Sequence, residues 1–129
     1  MKKSSAFLAL FVFWVAFCAS FSFCQEADLI GTWTGSTFIP DVGENEVTLV
    51  LSKKEGELAA TMSDSLGMLA DPVCEDIKFE NKTLTFNFTI SQEMQSQTIW
   101  ITLEVEGNSM KGYWENDQGE QGDIELTKQ

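Results

Sequence analysis

Beyond residue 25 the chain alternates apolar and polar positions with a period of two. In TLTFNFTIS, Leu84, Phe86, Phe88 and Ile90 fall on one side while Thr83, Thr85, Asn87 and Thr89 fall on the other. A strand with one buried face produces that spacing, and a helix does not. TIWITLEVE repeats it, with Ile99, Ile101, Leu103 and Val105 set against Thr98, Trp100, Thr102 and Glu104, and VTLVLS adds Val47, Leu49 and Leu51. No amphipathic helical pattern follows residue 25. Reading the remainder in the same way predicts eight short strands, at about 29–38, 45–53, 57–63, 75–80, 83–91, 97–106, 109–115 and 122–128.

Turn residues join these strands in two manners. Lys54-Glu55-Gly56, Asn81-Lys82 and Gly107-Asn108 suit tight hairpins. The alternate connections read as long: IPDVGENE, DSLGMLADPVC, QEMQSQ and NDQGEQG. In an up-and-down antiparallel sheet alternate connections share an end, so the long loops gather at one end and the tight turns at the other. Eight such strands with one apolar face resolve their exposed edges by closing into a barrel. The fold class expected is therefore all-β, an eight-stranded antiparallel up-and-down barrel, with a two-sheet sandwich as the alternative closure.

The inward-facing set is bulky: Trp33, Leu49, Leu51, Leu58, Met62, Ile77, Phe79, Phe86, Phe88, Ile99, Ile101, Leu103, Met110, Trp114, Ile124 and Leu126. An eight-stranded interior is either just filled by its side chains or able to hold one small ligand. If it holds one, the candidate contacts are Trp33, Leu49, Phe86, Phe88, Ile101, Leu103 and Trp114. Phe38, Ile39, Leu66, Met68, Leu69 and Met94 lie in or beside the long loops and would ring the mouth. LGMLA there reads either as an exposed binding patch or as a lid folded over the opening.

The start of the chain belongs to a different class. Met1-Lys2-Lys3 precedes an uncharged run from Ala6 to Cys24 rich in Phe, Leu and Val, the layout of a secretory signal peptide. Residues 1–24 are expected to be that peptide, and residues 25–129 a single domain that is secreted or periplasmic and has no membrane span once the leader is cut. A lipoprotein anchored at Cys24 is the alternative. Cleavage before Gln25 leaves Cys74 as the lone cysteine, which excludes an internal disulfide.

Composition removes several function classes. Beyond residue 24 six Lys stand against twenty Asp and Glu, a formal net charge of −14, so nucleic acid is not an expected partner. The chain has no His, which removes the usual general base and the commonest metal ligand. Cys74 has Asp71, Glu75 and Asp76 nearby in sequence, and negative neighbours suppress a reactive thiolate. ENDQGEQGD, residues 115–123, collects oxygen ligands without calcium-loop spacing. Neither an enzymatic activity nor a catalytic residue, metal or cofactor is expected. Asn81-Lys82-Thr83 and Asn87-Phe88-Thr89 are formal glycosylation acceptors.

The residues Gly31-Thr32-Trp33, in LIGTWTG on the first strand of an eight-stranded meander, resemble the lipocalin and fatty-acid-binding (calycin) group. That group places G-x-W at the start of strand one, with the Trp plugging the closed end. The resemblance implies that Trp33 does so here, that the long-loop end is a mouth, and that a small apolar ligand occupies the barrel. The late-strand arginine that lipocalins pack across this Trp has no counterpart, because the chain lacks Arg; Lys128 is the only basic residue near the end of strand eight. GTWTG, VTLVL, TLTFNFTI and GNSMKGYW together also resemble small secreted bacterial barrels and the leading domains sometimes attached to hydrolases. The functional expectation is a non-enzymatic extracytoplasmic lipocalin-like protein that binds a small apolar ligand. The alternative is a structural or protein-interaction module with a filled core, engaging an extracytoplasmic protein partner.

Overall fold

A computed structural model of the chain describes residues 26–69, 72–92 and 95–129; the expected leader and Met94 lie outside them. One helical turn, α1 (Glu26–Leu29), precedes eight antiparallel strands: β1 (Gly31–Ile39), β2 (Gly43–Lys54), β3 (Glu57–Asp64), β4 (Glu75–Glu80), β5 (Thr83–Gln92), β6 (Gln95–Glu106), β7 (Ser109–Asn116) and β8 (Gln121–Lys128). They form one sheet in the order β3-β2-β1-β8-β7-β6-β5-β4, curled into a nearly closed barrel. The all-β up-and-down barrel expected from the alternation is the fold observed.

Inside, the period-two pattern does what hydrophobic burial requires. Trp33, Leu49, Leu84, Leu103 and Met110 are completely buried, and Leu51, Phe86, Phe88, Ile101, Val105, Ile124 and Leu126 nearly so. Leu58, Ile77 and Phe79 are partly buried against this cluster, because they belong to the two edge strands. Gly35 and Gly112 face inward where the sheet coils sharply. A Cβ on Gly35 would lie 1.8 Å from the Glu125 carbonyl oxygen, and one on Gly112 equally close to that of Thr102. Only glycine lets neighbouring strands approach so closely there.

The three tight hairpins fall where turn chemistry puts them. Glu55-Gly56 and Asn81-Lys82 both have positive φ at both central residues (54° and 83°, 51° and 66°), the type I′ pattern that matches strand twist. Gly107 alone is positive in the third, at 58°, which fits type II′.

Two expectations are corrected. Strand one begins at Gly31 rather than 29, because Glu26–Leu29 turns as a helix and drives Leu29 into the core. Three of the four long loops are short: the β1–β2 connection is only Pro40-Asp41-Val42, closed by a Val42 N–H to Ile39 carbonyl bond of 3.1 Å, while β5 and β6 are separated by two residues and β7 and β8 by four. Their polar residues stay in the ladder, so that Glu44, Asn45 and Glu46 pair with Phe38, Thr37 and Ser36. Only residues 65–74 make a long connection. It spans the one seam in the wall, since β3 and β4 sit at opposite ends of the strand order and are not hydrogen-bonded to each other.

Candidate functional site

The barrel has a closed end and an open one, and different residues build each. At the closed end Trp33 is fully buried and its indole N–H donates to the Leu29 carbonyl at 2.9 Å. The helical turn thereby caps the barrel floor. Lys128 lies over the Trp33 ring, its Nζ 5.9 Å from the centroid, while donating to the Asp28 carbonyl at 2.8 Å. Lys128 thus stacks a cation on Trp33 in a chain without arginine; such contacts stabilise by about 0.5–1 kcal/mol when partly exposed. Lys53 and Glu26 approach to 3.6 Å nearby, but both are about half exposed and add little.

At the open end lies a cavity of about 100 Å³. Its wall is apolar: Ile39 from β1, Val47 from β2, Met62 from β3, Ile90 from β5, Ile99 and Ile101 from β6, Trp114 from β7 and Ile124 from β8, with Thr37, Asn45 and Gln97 as its polar members. Met68 and Leu69 complete it from the long connection, so that part of LGMLA folds over the opening while Leu66 stays 52% exposed.

The carboxylate that ends β3 holds this cover. Asp64 accepts hydrogen bonds from the backbone N–H groups of Leu69 at 2.9 Å and Met68 at 3.0 Å, and from the Asn45 side chain at 2.8 Å. Burial pushes the Asp64 carboxyl upward, but the hydrogen bonds from Asn45, Leu69, Met68 and Leu66 outweigh it and hold the group below its ordinary value. Asn45, buried on β2, in turn accepts a bond from the Ser65 hydroxyl at 3.1 Å. On the far side of the mouth Asn116 plays a similar part: its side-chain oxygen accepts from the N–H of Gln118 at 3.0 Å and of Glu120 at 2.8 Å, and its amide donates to the Glu120 carboxylate at 2.9 Å. Much of ENDQGEQGD is thereby engaged in shaping its own turn. Among the described residues no three His, Cys, Asp or Glu gather as a metal-ligand set.

Trp114 reaches furthest across the mouth. Its N–H donates to the Phe38 carbonyl at 3.2 Å, so an indole on β7 spans β8 to reach β1. Gly122, its register partner on β8, makes the reach feasible: a Cβ there would lie 2.0 Å from the Phe38 oxygen and 2.3 Å from Trp114 Nε1.

Of the interior residues singled out from sequence, Ile101 and Trp114 line the cavity, whereas Trp33, Leu49, Phe86, Phe88 and Leu103 belong to the packed core. Of the mouth residues, Ile39, Met68 and Leu69 line it, and Phe38 points outward and is 54% exposed because it alternates with Thr37 and Ile39. Val47, Met62, Ile90, Ile99 and Ile124 were visible as apolar strand positions, but where they meet depends on the strand stagger. A wider depression of about 480 Å³ lies on the outer wall beside Phe38, Lys111 and Glu125, open to solvent and of mixed polarity. Cys74 packs half-buried against the core, and burial pushes its thiol up to about 11. Asn87 donates its side-chain amide to Asp76 at 3.1 Å, and Asn81 is exposed in its turn. Compared with family profiles, curated proteins and solved structures, the chain matches none of them.

Proposed function

We propose that this chain is a non-enzymatic, extracytoplasmic, lipocalin-like binding protein whose ligand inserts a short apolar segment into the mouth cavity. The observation that carries the reading is the apolar wall at the open end, covered by a loop that a single carboxylate holds. Its size sets the ligand. Cavities that engulf drug-sized molecules run to roughly 300–1,000 Å³, and an engineered one of about 150 Å³ takes benzene; a site of about 100 Å³ accepts one end of a molecule, such as an aliphatic terminus. Thr37 donates to the Asp123 carbonyl at 2.8 Å, and Asn45 is held between Asp64 and Ser65, so contact inside is apolar except at Gln97. The basic start and uncharged run of residues 1–24 support export, and the absence of His with a half-buried, high-pKa Cys74 supports a role without catalysis.

Native mass spectrometry of the exported form, titrated with straight-chain aliphatics of several lengths, tests this. The expected result is a one-to-one adduct that disappears in Ile101→Trp, whose larger side chain fills the cavity. Failure of every chain length to bind a folded protein overturns it. One observation favours a second reading, a protein-interaction module: Val42, Leu66 and Val73 expose 55%, 52% and 74% of their surface on loops of the open end, where exposed apolar groups suit a partner.

A further inference from the structure

We propose that the ligand of the mouth cavity is an uncharged aliphatic alcohol, its hydroxyl hydrogen-bonded to the side-chain amide of Gln97 and its tail directed towards Ile101; this rests on the reading of the cavity as a ligand site. On β6 the inward positions from the mouth downward are Gln97, Ile99, Ile101, Leu103 and Val105, and only the first is polar. Its register partner on β5, Ile90, lines the cavity as well, so Gln97 belongs to the inner wall. Burial of one strand face favours an apolar residue at such a position, and Gln97 interrupts the row where β6 meets the opening.

The other polar side chains at inward positions of the mouth are committed to the protein itself. Thr37 donates to the Asp123 carbonyl, Asn45 donates to Asp64 and accepts from Ser65, and Asn116 binds the N–H groups of Gln118 and Glu120 and the Glu120 carboxylate. The Gln97 amide makes no such bond among the described residues. It is half-buried and keeps its polar atoms within reach of solvent. A tail that fills the cavity displaces that solvent, and the amide then takes its hydrogen bond from the ligand or loses it. A carboxamide both donates and accepts, and so does a hydroxyl, so the two match in either sense. None of the described residues lining the cavity is charged. A carboxylate or ammonium group there would give up water for one neutral amide and an apolar wall, which burial penalises.

Three probes of equal carbon number separate the head group from the tail: n-hexane, 1-hexanol and hexanoate, titrated into the exported form at pH 7 and followed by amide chemical shifts, with the Gln97 side-chain resonance identified by its loss in Gln97→Leu. 1-Hexanol is expected to move that resonance together with the backbone amides of the cavity wall, and to bind more tightly than hexanoate. Gln97→Leu, which replaces the amide by an apolar group of similar size, is expected to weaken 1-hexanol roughly fivefold, the worth of one hydrogen bond, while hexane binds at least as tightly as before. Gln97→Met should repeat that pattern. If 1-hexanol binds equally well to wild type and both variants, if the variants weaken hexane as much as 1-hexanol, or if hexanoate binds as tightly as the alcohol, the hydroxyl assignment is overturned while the apolar site stands. If none of the three binds the folded protein, the cavity reading falls with it.

Discussion

Replacing Gly122 by alanine tests the construction of the mouth most directly. The added methyl carbon would lie 2.0 Å from the Phe38 carbonyl oxygen and 2.3 Å from Trp114 Nε1, both far inside van der Waals contact. Gly122 itself has no positive φ, so the penalty is steric and not conformational. Either β8 moves away from β1, which pulls on the Trp33-to-Thr37 ladder with Lys128-to-Ile124, or the indole rotates out and abandons its bond to Phe38. Overpacking of this kind costs about 1–3 kcal/mol, and losing the bond of a largely buried N–H adds about 1 kcal/mol. The expected destabilisation is roughly 2–4 kcal/mol, which in a domain of this size lowers Tm by on the order of 10 °C or more. Urea unfolding followed by circular dichroism and by tryptophan emission measures it. Trp114→Leu removes one of the two collisions, so Gly122→Ala should cost at least about 1 kcal/mol less in that background. A Gly122→Ala protein within about 0.5 kcal/mol of wild type, or full additivity of the two changes, would refute the account.

Two further outcomes follow from the cover and the thiol. Asp64 has its carboxyl lowered in the folded protein, so its contribution is complete above the ordinary value of 3.8 and is lost as pH falls through the lower folded value. Amide exchange of Met68 and Leu69 is therefore expected to accelerate below that value in wild type, and Asp64→Asn to show faster exchange at neutral pH; equal protection in the two proteins would count against the anchoring role. Cys74, with its thiol near 11, should react with a disulfide reagent at pH 7 many times more slowly in the folded protein than in urea, and comparable rates would contradict its packing.

How far the sequence carries depends on which physical term each feature obeys. Burial of one strand face is written residue by residue, so the eight strands, the inward set and the three I′ and II′ hairpins are legible from alternation and turn residues alone. Trp33 was legible from alternation as an inward residue, and as a floor only through the resemblance that LIGTWTG carries. The mouth was not. Glu44, Asn45 and Glu46 look like loop because they are polar, yet backbone pairing with β1 is indifferent to side-chain polarity, and Asn45 finds Asp64 and Ser65 nineteen and twenty residues away. The Trp114 bond to Phe38 crosses a sequence separation of 76, and its dependence on Gly122 arises from a register that only the closed ladder defines. Glu26–Leu29 escaped a periodicity reading because one turn is too short to show a period.

The seam between β3 and β4 separates two kinds of continuity. Around the wall every ladder but one joins strands consecutive in the chain; the exception is β1 with β8, and there the sheet is continuous although the chain is not. At the seam the chain runs on through residues 65–74 although the sheet stops. If Gln129 were linked to Glu26, whose neighbours already meet through the Gln129 N–H to Thr32 carbonyl and Lys128 to Asp28 bonds, and the chain were opened in 65–74, strand order and sequence order would coincide throughout. Such a permuted chain would build the same wall from hairpins alone, with no distant ends to bring together. The present connectivity therefore makes the union of first and last strands the entropically costly step of folding, and leaves the seam as a place where the wall can part without any ladder breaking.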